Sequence, residues 1–130
     1  MTEPVKKIPS RGRLFKLFTD LGPYFRKQFS TESLFFFDCL EICVDPEKEP
    51  EEREFYGWWI NLKKDDSAFI YERFDGIYNT EGEWVVESLN KENKAQTDKS
   101  FKLFVDRLAS LIDTETGLQL KAIEDKLVEV

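Results

Sequence analysis

The seven residues Arg53-Glu54-Phe55-Tyr56-Gly57-Trp58-Trp59 hold two of the chain's three tryptophans and stand directly behind a run of acids. As a strand, this stretch sends Phe55, Gly57 and Trp59 to one face of a sheet and Tyr56, Trp58 and Ile60 to the other. A sheet with one face on a core needs only half of those rings. The stretch carries more aromatic surface than a core demands, and the surplus points to a partner.

The 130 residues, 41% hydrophobic and 35% charged, are enough for one globular domain spanning 1–130, with residues 1–10, punctuated by Pro4 and Pro9, as a flexible tail. No apolar run approaches the roughly 20 residues of a membrane span, and the basic N-terminus lacks the apolar stretch of a signal peptide. A cytoplasmic protein with no membrane partner is the expectation.

The chain has no histidine, which removes His-assisted nucleophiles and His-containing zinc sites. Its two cysteines, Cys39 and Cys43, are too few for a zinc cage and read as thiols within a sheet rather than a disulfide. There is no phosphate loop, dinucleotide fingerprint, zinc-protease motif or nucleophile elbow. These absences favour a binding module over an enzyme, with no cofactor and no metal.

The net charge of −7 is unevenly spread. Residues 1–27 carry seven Lys and Arg against Glu3 and Asp20, which leaves −12 for the rest. Such a body repels phosphates, so a nucleic-acid-binding module would have to use the basic N-terminal segment. The alternative for that segment is a solvated helix face with a loose tail.

After Ser10, a candidate N-cap, Leu14, Leu17, Phe18 and Leu21 make one stripe of an amphipathic helix, which Gly22-Pro23 stops. Tyr24 and Phe25 follow at once, either as core plugs or at the edge of a groove. Leu34 to Val44 reads as a long strand rich in aromatic and β-branched residues. Asp38 is its anomaly, a carboxylate on an otherwise apolar face that needs a cation or several donors. The charged loop Asp45 to Glu52 then leads into the opening stretch, and so short a connection implies an antiparallel pair. On that pairing Arg53 is expected to reach Asp38, the alternative being a surface ion pair with Glu51, Glu52 or Glu54.

Phe69 to Phe74 makes a third strand, broken or bulged at Asp75-Gly76, and Glu83 to Leu89 a fourth after a turn at Asn79 to Gly82. Asn90 to Thr97 reads as linker. Thr97 or Asp98 then caps a second helix with a stripe of Phe101, Phe104, Val105, Leu108, Leu111 and Ile112, ended by Gly117. Leu118 to Val130 does not choose between strand and helix. The fold class expected is α+β: an antiparallel meander of four or more strands packed with an N-terminal and a C-terminal amphipathic helix.

Exposed aromatics on a sheet suit single-stranded nucleic acid only with cations between them, and here the neighbours are Glu47, Glu49, Glu51, Glu52 and Glu54. Rings with one Arg and an acidic rim match a protein interface instead. The motifs Gly22-Pro23-Tyr24, Phe35-Phe36-Phe37-Asp38-Cys39 with Cys43, Arg53-Glu54-Phe55 and Gly57-Trp58-Trp59 stand in the order and spacing of the Crl family. The chain resembles that family specifically over residues 11–62 and more loosely beyond.

The resemblance implies a non-enzymatic transcription activator that binds the stationary-phase sigma factor and promotes its association with core RNA polymerase. Direct contact with the polymerase core is left open, no sequence-specific DNA contact is expected, and the protein would act as a monomer. The partner-binding residues it implies are Tyr24, Asp38, Arg53, Glu54, Phe55 and Trp58, with Tyr24, Phe55 and Trp58 as aromatic anchors and Arg53 facing an acidic segment of sigma. Gln28-Phe29-Ser30-Thr31 lacks a cysteine that some members carry there, so no role of that cysteine transfers. Phe55 and Trp58 lie on opposite faces of an ideal strand. For both to share one surface, a bulge near Gly57 or a Phe55 placed before the strand is required, and otherwise one of the two belongs to the core.

Overall fold

The computed structural model describes residues 9–22, 24–31, 34–65 and 67–123. The expected tail lies outside the described residues except for Pro9 and Ser10. Helix α1 (Arg11–Leu21) starts where Ser10 accepts the Arg13 backbone N–H on its hydroxyl at 3.2 Å, and it buries Leu14, Phe15 and Phe18. The chain then makes β1 (Leu34–Cys43), β2 (Phe55–Lys64), β3 (Ala68–Tyr78), β4 (Trp84–Val86), α2 (Lys91–Thr116) and β5 (Gln119–Ala122).

Strands β1 to β4 form the expected antiparallel meander in sequence order. β5 joins the same sheet parallel to β3, pairing Ala68–Tyr71, while β4 pairs Gly76–Tyr78 further along the same edge. The sheet is therefore mixed, and α2 is not its final element.

Three other boundaries differ from expectation. β3 runs through Asp75-Gly76 in unbroken register with β2, because Gly57 and Gly76 face each other across the two strands. A Cβ at Gly57 would run into the Cys39 carbonyl, and one at Gly76 into the Val85 carbonyl, so the glycine serves close approach rather than a break. β4 is confined to three residues. α2 begins at Lys91, capped by Asn90, whose side chain accepts the Asn93 N–H at 2.8 Å. Thr97 lies inside α2, fully buried, its hydroxyl without a hydrogen-bond partner.

Both helices lie on one face of the sheet. Phe15 and Phe18 of α1 meet Phe35 and Phe37 of β1, and Phe101, Phe104, Leu108 and Ile112 of α2 complete a core with Trp58, Ile60, Leu62 and Phe69. On the other face Trp59 stacks between Phe74 at 5.3 Å and Trp84 at 4.7 Å between ring centroids. The aromatic surplus of the opening stretch is thus divided between two clusters, one on each side of β2.

Candidate partner-binding surface

Asp38 is 2% exposed, and each of its oxygens is engaged. Arg26 Nε donates to Oδ1 at 2.6 Å and Trp84 Nε1 donates to Oδ2 at 2.9 Å. Its backbone N–H donates to the Tyr24 carbonyl at 2.9 Å, and the Arg26 N–H donates to the Phe36 carbonyl at 2.8 Å. A bridge between Phe25 and Phe37 completes a short annexe of residues 24–26 along the outer edge of β1. Asp38 therefore ties the chain after α1 to β1 through backbone and side chain together, and ties β4 to both. The sequence marked the anomaly but missed Arg26 and Trp84; the third tryptophan, alone in a polar hairpin, was the available signal.

The expected Arg53–Asp38 pair does not form. Asp38 pairs with Trp59 in the β1–β2 register, six residues along from Arg53, or about 20 Å of strand. Arg53 instead donates from Nε to the Lys48 carbonyl at 2.9 Å and from Nη2 to the Pro46 carbonyl at 3.0 Å. It holds the acidic loop 45–52 in shape from within. Glu54 beside it accepts the Val44 N–H on its carbonyl at 2.9 Å, closing the loop.

Trp58 is fully buried on the helix side, which corrects its reading as an exposed anchor. Its ring packs on Phe104 at 4.9 Å, Phe101 at 5.2 Å and Tyr24 at 5.7 Å, and Nε1 donates to Ser100 Oγ at 3.3 Å. Phe55 opens β2 on the opposite face, half-buried between its partners Cys43 and Tyr78. The sheet does have a bulge close by, but it interrupts β1 between Leu40 and Ile42 and leaves β2 regular. Phe55 and Trp58 stay on opposite faces, and Trp58 is the core residue of the two. Trp59 and Ile60, assigned to opposite faces by strand alternation, are buried on opposite sides of the sheet.

Tyr24 remains half-buried, with Phe104 and Trp58 as its floor. It forms one wall of a cleft of about 510 Å³ between the β1 edge and α2, which answers the open question of plug or groove: it is both. Cys39 Sγ lies 3.3 Å from Glu41 Oε2 and 3.5 Å from Ser100 Oγ, two residues of the cleft lining. Burial pushes its thiol up to about 11, the Glu41 carboxylate and Asp38 pushing the same way against the Ser100 hydrogen bond. Cys39 and Cys43 are free thiols, as expected from the sequence.

Three of the seven N-terminal cations make contacts within the chain. Arg11 donates to the Thr31 carbonyl and stacks on Phe15, Lys16 pairs with Asp20, and Arg26 is held by Asp38. These are three of the seven cations of residues 1–27 on which a nucleic-acid module would draw. Among the described residues no helix is long and apolar enough to cross a membrane, and none form a group of three or more suited to hold a metal.

Residues 1–129 match the family model of the sigma factor-binding transcriptional regulator Crl. The chain is 40% identical over 115 residues to the sigma factor-binding protein Crl of Photobacterium profundum, covering 88% of this chain and 86% of that one. It is 33% identical over 125 residues to the protein of the same name from Vibrio vulnificus, covering 96% of each. The Vibrio cholerae protein is 32% identical over 106 residues, 82% of each chain.

Proposed function

This chain belongs to the Crl family of sigma factor-binding transcriptional regulators, and from that premise we propose that it binds the stationary-phase sigma factor and promotes its assembly with core RNA polymerase. The family is defined by binding a sigma factor and not by a reaction. The protein acts in the cytoplasm as a monomer, with no cofactor.

The observation that carries this reading is the half-buried ring of Tyr24 at the wall of the open cleft between β1 and α2. Phe55, Arg53 and Glu54, the other members of the proposed contact set, lie further along at the start of β2 beside the acidic loop, with Phe55 on the opposite face of the sheet from Trp58. Trp58 serves as the floor that keeps Tyr24 upright, and Asp38 fixes the segment that carries Tyr24. Aromatic anchors with a charged rim supply most of the energy of protein interfaces. By favouring one conformation of sigma, or by touching sigma and polymerase together, the module raises the assembled fraction, and a preference of about 1.4 kcal/mol changes it tenfold below saturation.

Titration calorimetry against the purified sigma factor tests the assignment. Arg53→Ala is expected to weaken binding more than Arg73→Ala, whose guanidinium is committed to Asp75 and Asp98. Equal losses from the two substitutions, in variants that melt like the parent, remove Arg53 from the interface.

A further inference from the structure

The cleft beside Tyr24 continues along α2 beyond any residue the sequence singled out. Its α2 wall carries Lys99, Leu103 and Arg107 around the buried Phe104. Leu103 is 58% exposed, an apolar side chain presented to solvent in the middle of a groove. Lys99 and Arg107 form no ion pair among the described residues, in a chain whose net charge is −7. Four of the eight other charged residues of α2 are in ion pairs: Lys102 with Asp106 at 3.2 Å, and Asp98 and Lys94 with each other, Asp98 also with Arg73. The one carboxylate in the cleft, Glu41, accepts from Cys39 and Gln96 at its far wall.

Lys99 and Arg107, eight residues apart on the helix, stand about 12 Å apart, a little over two turns, with the exposed Leu103 between them. That spacing matches carboxylates two turns apart on a second helix whose apolar face meets Leu103 and Tyr24.

We propose that this α2 groove receives an acidic amphipathic helix of the sigma factor, with Lys99 and Arg107 clamping its carboxylates and Leu103 filling its apolar face. The inference rests on the sigma-binding reading and extends it from the Tyr24 end of the cleft to the full length of the groove. The association is steered by the two cations, so it weakens with salt.

The test is calorimetric titration of the sigma factor with the full chain at two salt concentrations. Lys99→Glu with Arg107→Glu is expected to lower affinity at least tenfold and flatten the salt dependence, and Leu103→Glu to lower it severalfold. Lys99→Arg with Arg107→Lys keeps the charges and is expected to bind within about threefold of the parent, as is Lys102→Glu, which lies outside the groove lining. Thermal melts confirm that each variant folds, which is expected because all four positions are solvent-exposed. If the parent binds sigma and the double reversal binds equally well with the same salt slope, the groove proposal is overturned while the sigma reading stands. If the parent does not bind sigma, both fall together.

Discussion

Replacing Asp38 with asparagine keeps the shape of the side chain and an oxygen for the Trp84 indole but removes the charge that Arg26 binds. The magnitude follows from burial. Asp38 is 2% exposed and the Arg26 side chain 34%, so the pair is desolvated on one side and wet on the other. A charge-assisted hydrogen bond at 2.6 Å contributes about 1.5–3 kcal/mol, and solvent at the guanidinium favours the lower half of that range. Asp38→Asn should therefore cost about 2 kcal/mol. Asp38→Ala also strands the buried Trp84 N–H, adding about 1 kcal/mol. For a chain of this length, 2 kcal/mol lowers Tm by roughly 6–10 °C. Urea denaturation followed by tryptophan fluorescence and circular dichroism gives the free energies, and a double-mutant cycle assigns them. Asp38→Asn with Arg26→Ala should show a coupling above about 1 kcal/mol, and Asp38→Asn with Arg53→Ala a coupling near zero. A loss below about 0.5 kcal/mol, or a larger coupling to Arg53 than to Arg26, refutes the reasoning.

Two further outcomes are expected from titrating groups. With its thiol pushed up to about 11, Cys39 should resist alkylation at neutral pH in the native protein and react at the ordinary rate in denaturant; rapid native labelling located at Cys39 by mass spectrometry contradicts this. Burial alone would raise the Asp98 carboxyl, but the Arg73 hydrogen bond and charge, followed by those of Lys94, outweigh it and hold the group below its usual value. The unfolded chain thus takes up that proton first as pH falls. The advantage of the parent over Asp98→Asn is expected to be full above the ordinary carboxylate range and to fade as pH drops through that range and below it, a difference of at most about 1 kcal/mol for so exposed a network. An advantage that grows in acid would reverse the sign of the argument.

The parts of the fold written in side-chain period were readable. The stripe of α1, the alternation of β1 and β2 and the apolar face of α2 from Phe101 onward all declare themselves by spacing. The first turns of α2 do not, because Lys91 to Gln96 reach solvent and their helix depends on the Asn90 cap rather than on burial. Gly76 looked like a break because glycine's other use, letting a neighbouring backbone come close, leaves no local pattern. β5 is four residues whose identity comes from lying beside β3. In the candidate site, Asp38 was identifiable as a charge needing a partner, yet the partner depended on a strand register and on the annexe of residues 24–26. Both are tertiary facts. The α2 groove was invisible for the opposite reason: Lys99 and Arg107 read as ordinary surface charge until the cleft beside them is seen.

The parallel attachment of β5 bears on how the chain comes together. β1 to β4 are joined by short connections and can zip one hairpin at a time, whereas Gln119–Ala122 must find Ala68–Tyr71 across some 50 residues that include the whole of α2. Closing a loop of that length costs entropy before any contact repays it. β5 is therefore expected to dock only after α2 is in place.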